Sequence, residues 1–156
     1  MKNLIVFYSR SGVTKKLAQK MSEMTGWEIV ELIDSEPRQG LWGYVKAGRQ
    51  ALFGEQTEIQ VLNNDFSAYD CVVVGTPIWA GNMAPAVRTF LKQYQEKIKQ
   101  LAFFCTMGGA NDQGLFGKMT SAVNCQPKTT MAVRTKQILE DDYSSEIKNF
   151  IETINQ

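Results

Sequence analysis

The chain has 156 residues, 44% hydrophobic and 21% charged, with 17 Lys and Arg against 16 Asp and Glu. That length suits a single domain over residues 1–156, and the apolar share supports a core without disulfide or metal and excludes disorder. A formal net charge of +1 excludes a broad electrostatic attraction for nucleic acid or acidic lipid. The absence of histidine removes a Ser-His-Asp or Cys-His device and a histidine-based zinc site together. Difficult chemistry is therefore expected from an organic cofactor, with no catalytic side chain and no metal.

Met1 to Phe7 runs directly into an apolar segment without a cleavable leader, and no stretch reaches the ~18 apolar residues of a membrane span. A cytoplasmic protein without membrane or nucleic-acid partners is expected. Cys71, Cys105 and Cys125 are odd in number and lack CxxC spacing. The first two fall in predicted strands, where cysteine acts as a small buried hydrophobe.

Leu4–Tyr8 is a continuous run of strand formers. From Thr14 a helical pattern follows, with Val13, Leu17, Met21 and Met24 on one face, closed by Gly26 as a C′ glycine. Trp27 to Ile33 alternates and predicts a second strand. Residues 40–53 place Leu41, Val45, Gly48 and Leu52 on one helical face, and Glu58–Leu62 suggests a short edge strand. Cys71–Gly75 is the strongest strand, apolar enough to be buried on both faces. A helix is predicted near 84–95, with Pro85 in its first turn and Val87, Phe90, Leu91 and Tyr94 inward. Leu101–Cys105 predicts another central strand, followed by a helix near 115–124 and a strand near 128–134. The last helix has Ile147, Phe150, Ile151 and Ile154 on one stripe.

Alternating strands and helices imply an α/β fold: a three-layer, doubly wound sandwich around a five-stranded parallel sheet. Right-handed crossovers put all strand C-termini along one edge, where such sheets bind ligands near the switch point of strand order. Three unusual segments fall there. Ser9-Arg10-Ser11-Gly12-Val13-Thr14 leaves a strand and enters a helix, offering hydroxyls and backbone amides at the positive end of the helix dipole. It matches neither GxxxxGK[ST] nor GxGxxG, so a terminal monophosphate suits it better than a triphosphate or pyrophosphate. An ordinary capped helix start is the competing reading.

The second segment, Gly75 to Pro85, carries Trp79 between proline and glycine. An exposed tryptophan at a strand end calls for a flat ligand, unless it folds back on its own core. Gly81 permits a peptide to turn at little steric cost and Asn82 both donates and accepts. The third, Thr106 to Gly114, pairs glycines with polar groups, as a close approach to a ring edge or a plain turn would require.

The ordered set FYSRSGVT, VVVGTPIWAGNMAPAVRTFL and CTMGGANDQG resembles the flavodoxin family, over nearly the whole chain. The resemblance implies strand order 2-1-3-4-5 and FMN as cofactor. It implies that Ser9, Arg10, Ser11, Gly12, Val13 and Thr14 hold the FMN phosphate. Pro77, Ile78, Trp79, Ala80, Gly81 and Asn82 would form one wall of the ring site; Met107, Gly108, Gly109 and Asp112 would form the other. The family's long insertion in the last strand has no counterpart, so the chain resembles the short type with an enlarged region between 35 and 69.

The implied function is electron transfer, the flavin cycling between oxidised, semiquinone and hydroquinone states with a backbone hydrogen bond at or near Gly81 tuning N5. The partner would be a redox protein or a small-molecule acceptor, and the protein a monomer or dimer. Near-neutral charge departs from the acidic character of typical flavodoxins. The alternative is an NAD(P)H-dependent FMN oxidoreductase acting on quinones or similar acceptors. TPxxxGNM also resembles the tryptophan-repressor-binding-protein branch, whose flavin-site histidine is missing here. Trp42, Tyr44, Arg49 and Phe53 would line a nicotinamide pocket in that case, against the simpler reading of a helix packed on the sheet. A non-redox module binding another phosphorylated ligand is the third possibility, since fold alone does not fix function.

Overall fold

A computed structural model describes residues 1–34, 57–109, 112, 114–123 and 125–156. The predicted helix over 40–53, and with it Trp42, Tyr44, Arg49 and Phe53, lies outside the described residues. In chain order the elements are β1 (Asn3–Phe7), α1 (Val13–Thr25), β2 (Glu28–Glu31), β3 (Cys71–Trp79), β4 (Asn82–Met83) and α2 (Pro85–Tyr94). There follow β5 (Leu101–Met107), α3 (Leu115–Val123), β6 (Thr130–Arg134), α4 (Thr135–Leu139) and α5 (Ser144–Asn155).

The sheet runs β2-β1-β3-β5-β6, all parallel, with the two-residue β4 paired antiparallel to the end of β3. Without that hairpin strand, the five parallel strands have the predicted order. Ile5 lies beside Ile29 and Val73, Val74 beside Phe103, and Cys105 beside Ala132.

Two-residue alternation divides the apolar runs between two cores. Leu4, Val6, Val72, Val74 and Phe103 pack with Val87, Phe90, Leu91, Leu115 and Met119 of α2 and α3. Ile5, Phe7, Val73 and Phe104 pack with Leu17 and Met21 of α1 and Ile147, Phe150 and Ile154 of α5. β1 and β5 are covered on both faces and buried along their whole length, which is why they are apolar apart from Asn3 and Thr106. Gly75 sits beside Phe104 in register, and a Cβ there would overlap the Phe104 ring.

Several predicted boundaries shift. The segment predicted as a strand over Trp27–Ile33 pairs only over Glu28–Glu31. Glu58–Leu62 is not a strand; its pairing is a single bridge between Asp34 and Ile59. β3 continues past Gly75 to Trp79, because a hairpin partner satisfies its outer end. The five-residue α4, too short to show a helical period, has no sequence forecast. Among the described residues, no helix is long and apolar enough to cross a membrane.

Candidate functional site

At the C-terminal edge of the sheet lies a cavity of about 460 Å³, within the roughly 300–1,000 Å³ typical of small-molecule sites. Arg10, Ser11, Val13 and Thr14 line it from the β1–α1 junction. Pro77, Ile78 and Trp79 line it from the end of β3, Thr106 and Gly108 from the end of β5, and Thr135 from the start of α4.

One end is built to receive an anion. Gly12 caps α1 with φ +88°, a conformation that favours glycine, and no side chain caps the helix. Ser9 turns inward, its Oγ accepting the Gly12 N–H at 3.1 Å, so it shapes the loop without lining the cavity. Among the described residues, the first-turn amides of α1 therefore have no side-chain acceptor at the positive pole of the helix. Ser11 is exposed there and Thr14 is buried. Thr14 Oγ1 lies 2.8 Å from Thr106 Oγ1, tying α1 to β5.

The other end is flat and apolar. Trp79 is half-buried and meets Tyr8 edge to face, with centroids 5.5 Å apart and planes at 87°. It packs against the core and also lines the cavity, so the two sequence-based readings of this residue coexist. Pro77, Ile78 and Trp79 are strand residues, not loop. The chain then reverses in a two-residue turn, Ala80 at φ +47° and Gly81 at φ +71°. Both angles are those of a type I′ hairpin. For alanine the left-handed region costs about 1–2 kcal/mol.

Ala80, Gly81 and Asn82 do not line the cavity; they hold its wall from behind. Asn82 Oδ1 accepts the Met83 N–H at 3.0 Å and Arg88 Nη2 at 2.6 Å. Arg88 is partly buried, which pulls its guanidinium below the usual value, and its Nε has no partner among the described residues.

On the β5 side, alternation sends Thr106 toward Thr14 and buries Met107 on the opposite face. Met107 therefore does not reach the cavity. Gly108 does, whereas Gly109 is exposed beyond it. Asp112 is occupied by its own loop: Oδ1 accepts the Gly114 N–H at 2.9 Å and its carbonyl accepts the Leu115 N–H at 2.9 Å. Thr106 opens the third predicted segment without a predicted role there, and Thr135 belongs to no predicted segment. The rule that ligands sit beyond strand C-termini points to both, each lying at the end of a parallel strand.

Among the described residues, the lining holds no carboxylate and no thiol. Burial pushes the thiols of Cys71 and Cys105 up to about 12, so neither supplies a thiolate nucleophile. What the arrangement offers is an anion seat joined to an aromatic wall, and the phosphate and flat ring of FMN fit those two ends.

The crystal structure of a flavoprotein from Lactobacillus acidophilus NCFM in complex with FMN resembles this chain at 28% identity, covering 90% of this chain and 97% of that one with a TM-score of 0.72. The NMR structure of the apo form of the flavoprotein from the same organism is 30% identical, covering 85% and 91% with a TM-score of 0.64. A WrbA-like flavodoxin from Agrobacterium tumefaciens, 13% identical, shares the fold over 99% of this chain and 95% of its own with a TM-score of 0.61. No curated protein sequence matches this chain. The sequence pattern of the flavodoxin family matches residues 2–154, almost the entire length, and the chain belongs to that family.

Proposed function

We propose that this protein binds FMN in the 460 Å³ cavity and works as an electron carrier. The observation that carries this reading is the continuity of one cavity from the side-chain-uncapped start of α1, with Ser11, Thr14 and Thr106, to the face of Trp79. The phosphate would sit at the α1 end, held by Ser11, Thr14 and backbone amides, with Arg10 supplying charge. The ring would lie toward Ile78 and Trp79. Bound flavin supplies the redox chemistry, accepting one or two electrons. The chain's own residues bind and orient it, exclude water with Trp79 and Ile78, and bring the backbone at Gly108 close to it.

Among the described residues, the lining includes no carboxylate, thiol or phenol that could serve as a proton donor. That favours a carrier over an enzyme needing a positioned proton donor. A redox protein or a small-molecule acceptor would take the electrons in the cytoplasm. The FMN oxidoreductase alternative is decided by the same experiment. The FMN-loaded protein is titrated anaerobically with dithionite and, in parallel, with NADPH. Reduction by dithionite through a radical detected by electron paramagnetic resonance, with no reduction by NADPH, is expected. Rapid two-electron bleaching by NADPH alone overturns the carrier reading.

A further inference from the structure

We propose that Lys118 is a positioning residue whose ammonium, reaching from α3, holds the tip of the β3–β4 hairpin and so fixes the Trp79 wall of a cavity that Lys118 does not line. The inference rests on the reading of that cavity as a flavin site. The hairpin is short, with only two pairs, Ile78 with Met83 and Trp79 with Asn82. Its two turn residues both take positive φ, one of them an alanine. A strained turn on so short a ladder persists only where its surroundings over-determine it.

The base of the hairpin is held twice. Thr76 Oγ1 accepts the Ala84 N–H at 3.0 Å and donates to the Pro77 carbonyl at 2.9 Å. Arg88 reaches Asn82, which pairs with Trp79 to close the turn. Neither side chain reaches the turn's two central residues, Ala80 and Gly81. That falls to Lys118, whose Nζ donates to the Gly81 carbonyl at 2.6 Å, a charge-assisted hydrogen bond of the stronger kind. This is the lysine's one side-chain hydrogen bond among the described residues, and it makes no ion pair among them. Its own helix is anchored, with Leu115 and Met119 fully buried on either side of it in sequence. The helix following β5 thus holds the turn following β3, a side-chain tie beyond the point where the two strands pair at Pro77 and Thr106.

The test uses wild type, Lys118→Met and Lys118→Arg. Amide hydrogen exchange is first measured without flavin. Lys118→Met is expected to speed exchange across residues 78–83 by about 10-fold or more, as loss of a hydrogen bond to a charged group does, while β1 and α5 keep wild-type rates. FMN and riboflavin affinities are then measured by flavin fluorescence. Both are expected to weaken by the same factor, about 10-fold, because the ring wall is loosened and not the phosphate seat. Lys118→Arg is expected to restore both readouts. Unchanged hairpin exchange in Lys118→Met overturns the proposal. So does a loss of FMN affinity with riboflavin binding intact, which would make Lys118 a phosphate ligand. If wild type binds neither flavin, the flavin reading fails by itself, and the exchange data still decide whether Lys118 holds the turn.

Discussion

Ser11 and Thr14 differ in how they are held, and the difference decides how substitutions there behave. Ser11 is exposed at the mouth of the anion seat, whereas Thr14 is buried against Thr106. Replacing both by alanine is expected to weaken FMN binding by about 2–4 kcal/mol if, as proposed, each gives a hydrogen bond to the charged phosphate. Isothermal titration of FMN against riboflavin checks this: the double variant should lose its preference for FMN, and an unchanged preference would place the phosphate elsewhere. The three cysteines separate as clearly. Cys71 and Cys105 are fully buried and their thiols are pushed up to about 12 by burial, while Cys125 is exposed. A chromogenic thiol reagent at pH 8 should therefore modify Cys125 alone in the native protein and all three after denaturation. Fast native labelling of a second thiol would mean that one of the cores opens readily.

Among the elements, the sheet and its glycine are the most demanding. Gly75 lies where the Phe104 ring covers β3, so Gly75→Ala forces two central strands apart or turns the ring. The expected cost is about 1–3 kcal/mol, as for overpacked cores, read as a lower denaturation midpoint with an unchanged m-value. Gly75→Ala combined with Phe104→Leu should recover part of it. The inner strands were legible in the sequence because burial on both faces leaves few positions for a polar residue, here Asn3, Thr76 and Thr106. Helices α1, α2 and α5 were legible because one apolar stripe recurs at helical spacing. The hairpin at 78–83 was not. A strand that runs on through proline and then reverses at Ala-Gly lacks the Asn-Gly or Asp-Gly signal of such turns, and only the neighbouring side chains show why Ala80 tolerates its angle. Asn82, Met107 and Asp112, placed at the ring by resemblance, instead face Arg88, the core and a local turn. Met107 follows the alternation of β5, whereas the partners of Asn82 and Asp112 are ones that no periodicity encodes.

Over the whole molecule, near-neutral charge conceals an uneven set of carboxylates. A hydrogen bond from Lys16 holds Asp141 below its ordinary 3.8, hydrogen bonds from Ser67 do the same for Asp65, and Ser145 holds Glu146 below 4.5. Folded-state values below the unfolded ones contribute stability that is complete above the unfolded values and disappears as pH falls through the folded ones. Thermal unfolding should therefore show a Tm that is steady from neutral pH to about pH 5 and falls below it. Asp141→Asn should shallow that fall, and an identical acid limb in the variant would show that the Lys16 contact does not contribute. The same lysine fixes α1 to α4 as well as to Asp141 beyond it, since Lys16 Nζ also donates to the Ile138 carbonyl at 2.9 Å. The helix that opens the anion seat is thereby braced at one edge of the sheet, while Thr14 secures it to the centre.

The Thr14–Thr106 pair has a consequence in proton counting. Two hydroxyls joined by one hydrogen bond have two protons, one used between them and one left to give. Either oxygen can be the giver, and exchanging the roles requires only that two hydrogen atoms rotate. The pair is thus a swivel of fixed heavy-atom geometry and reversible polarity. It can present a donor from Thr14 or from Thr106, with the other hydroxyl supplying the bond within the pair. A phosphate gains and loses its second proton near pH 6, and such a swivel can reorient to meet either ionisation state without any side chain changing its rotamer.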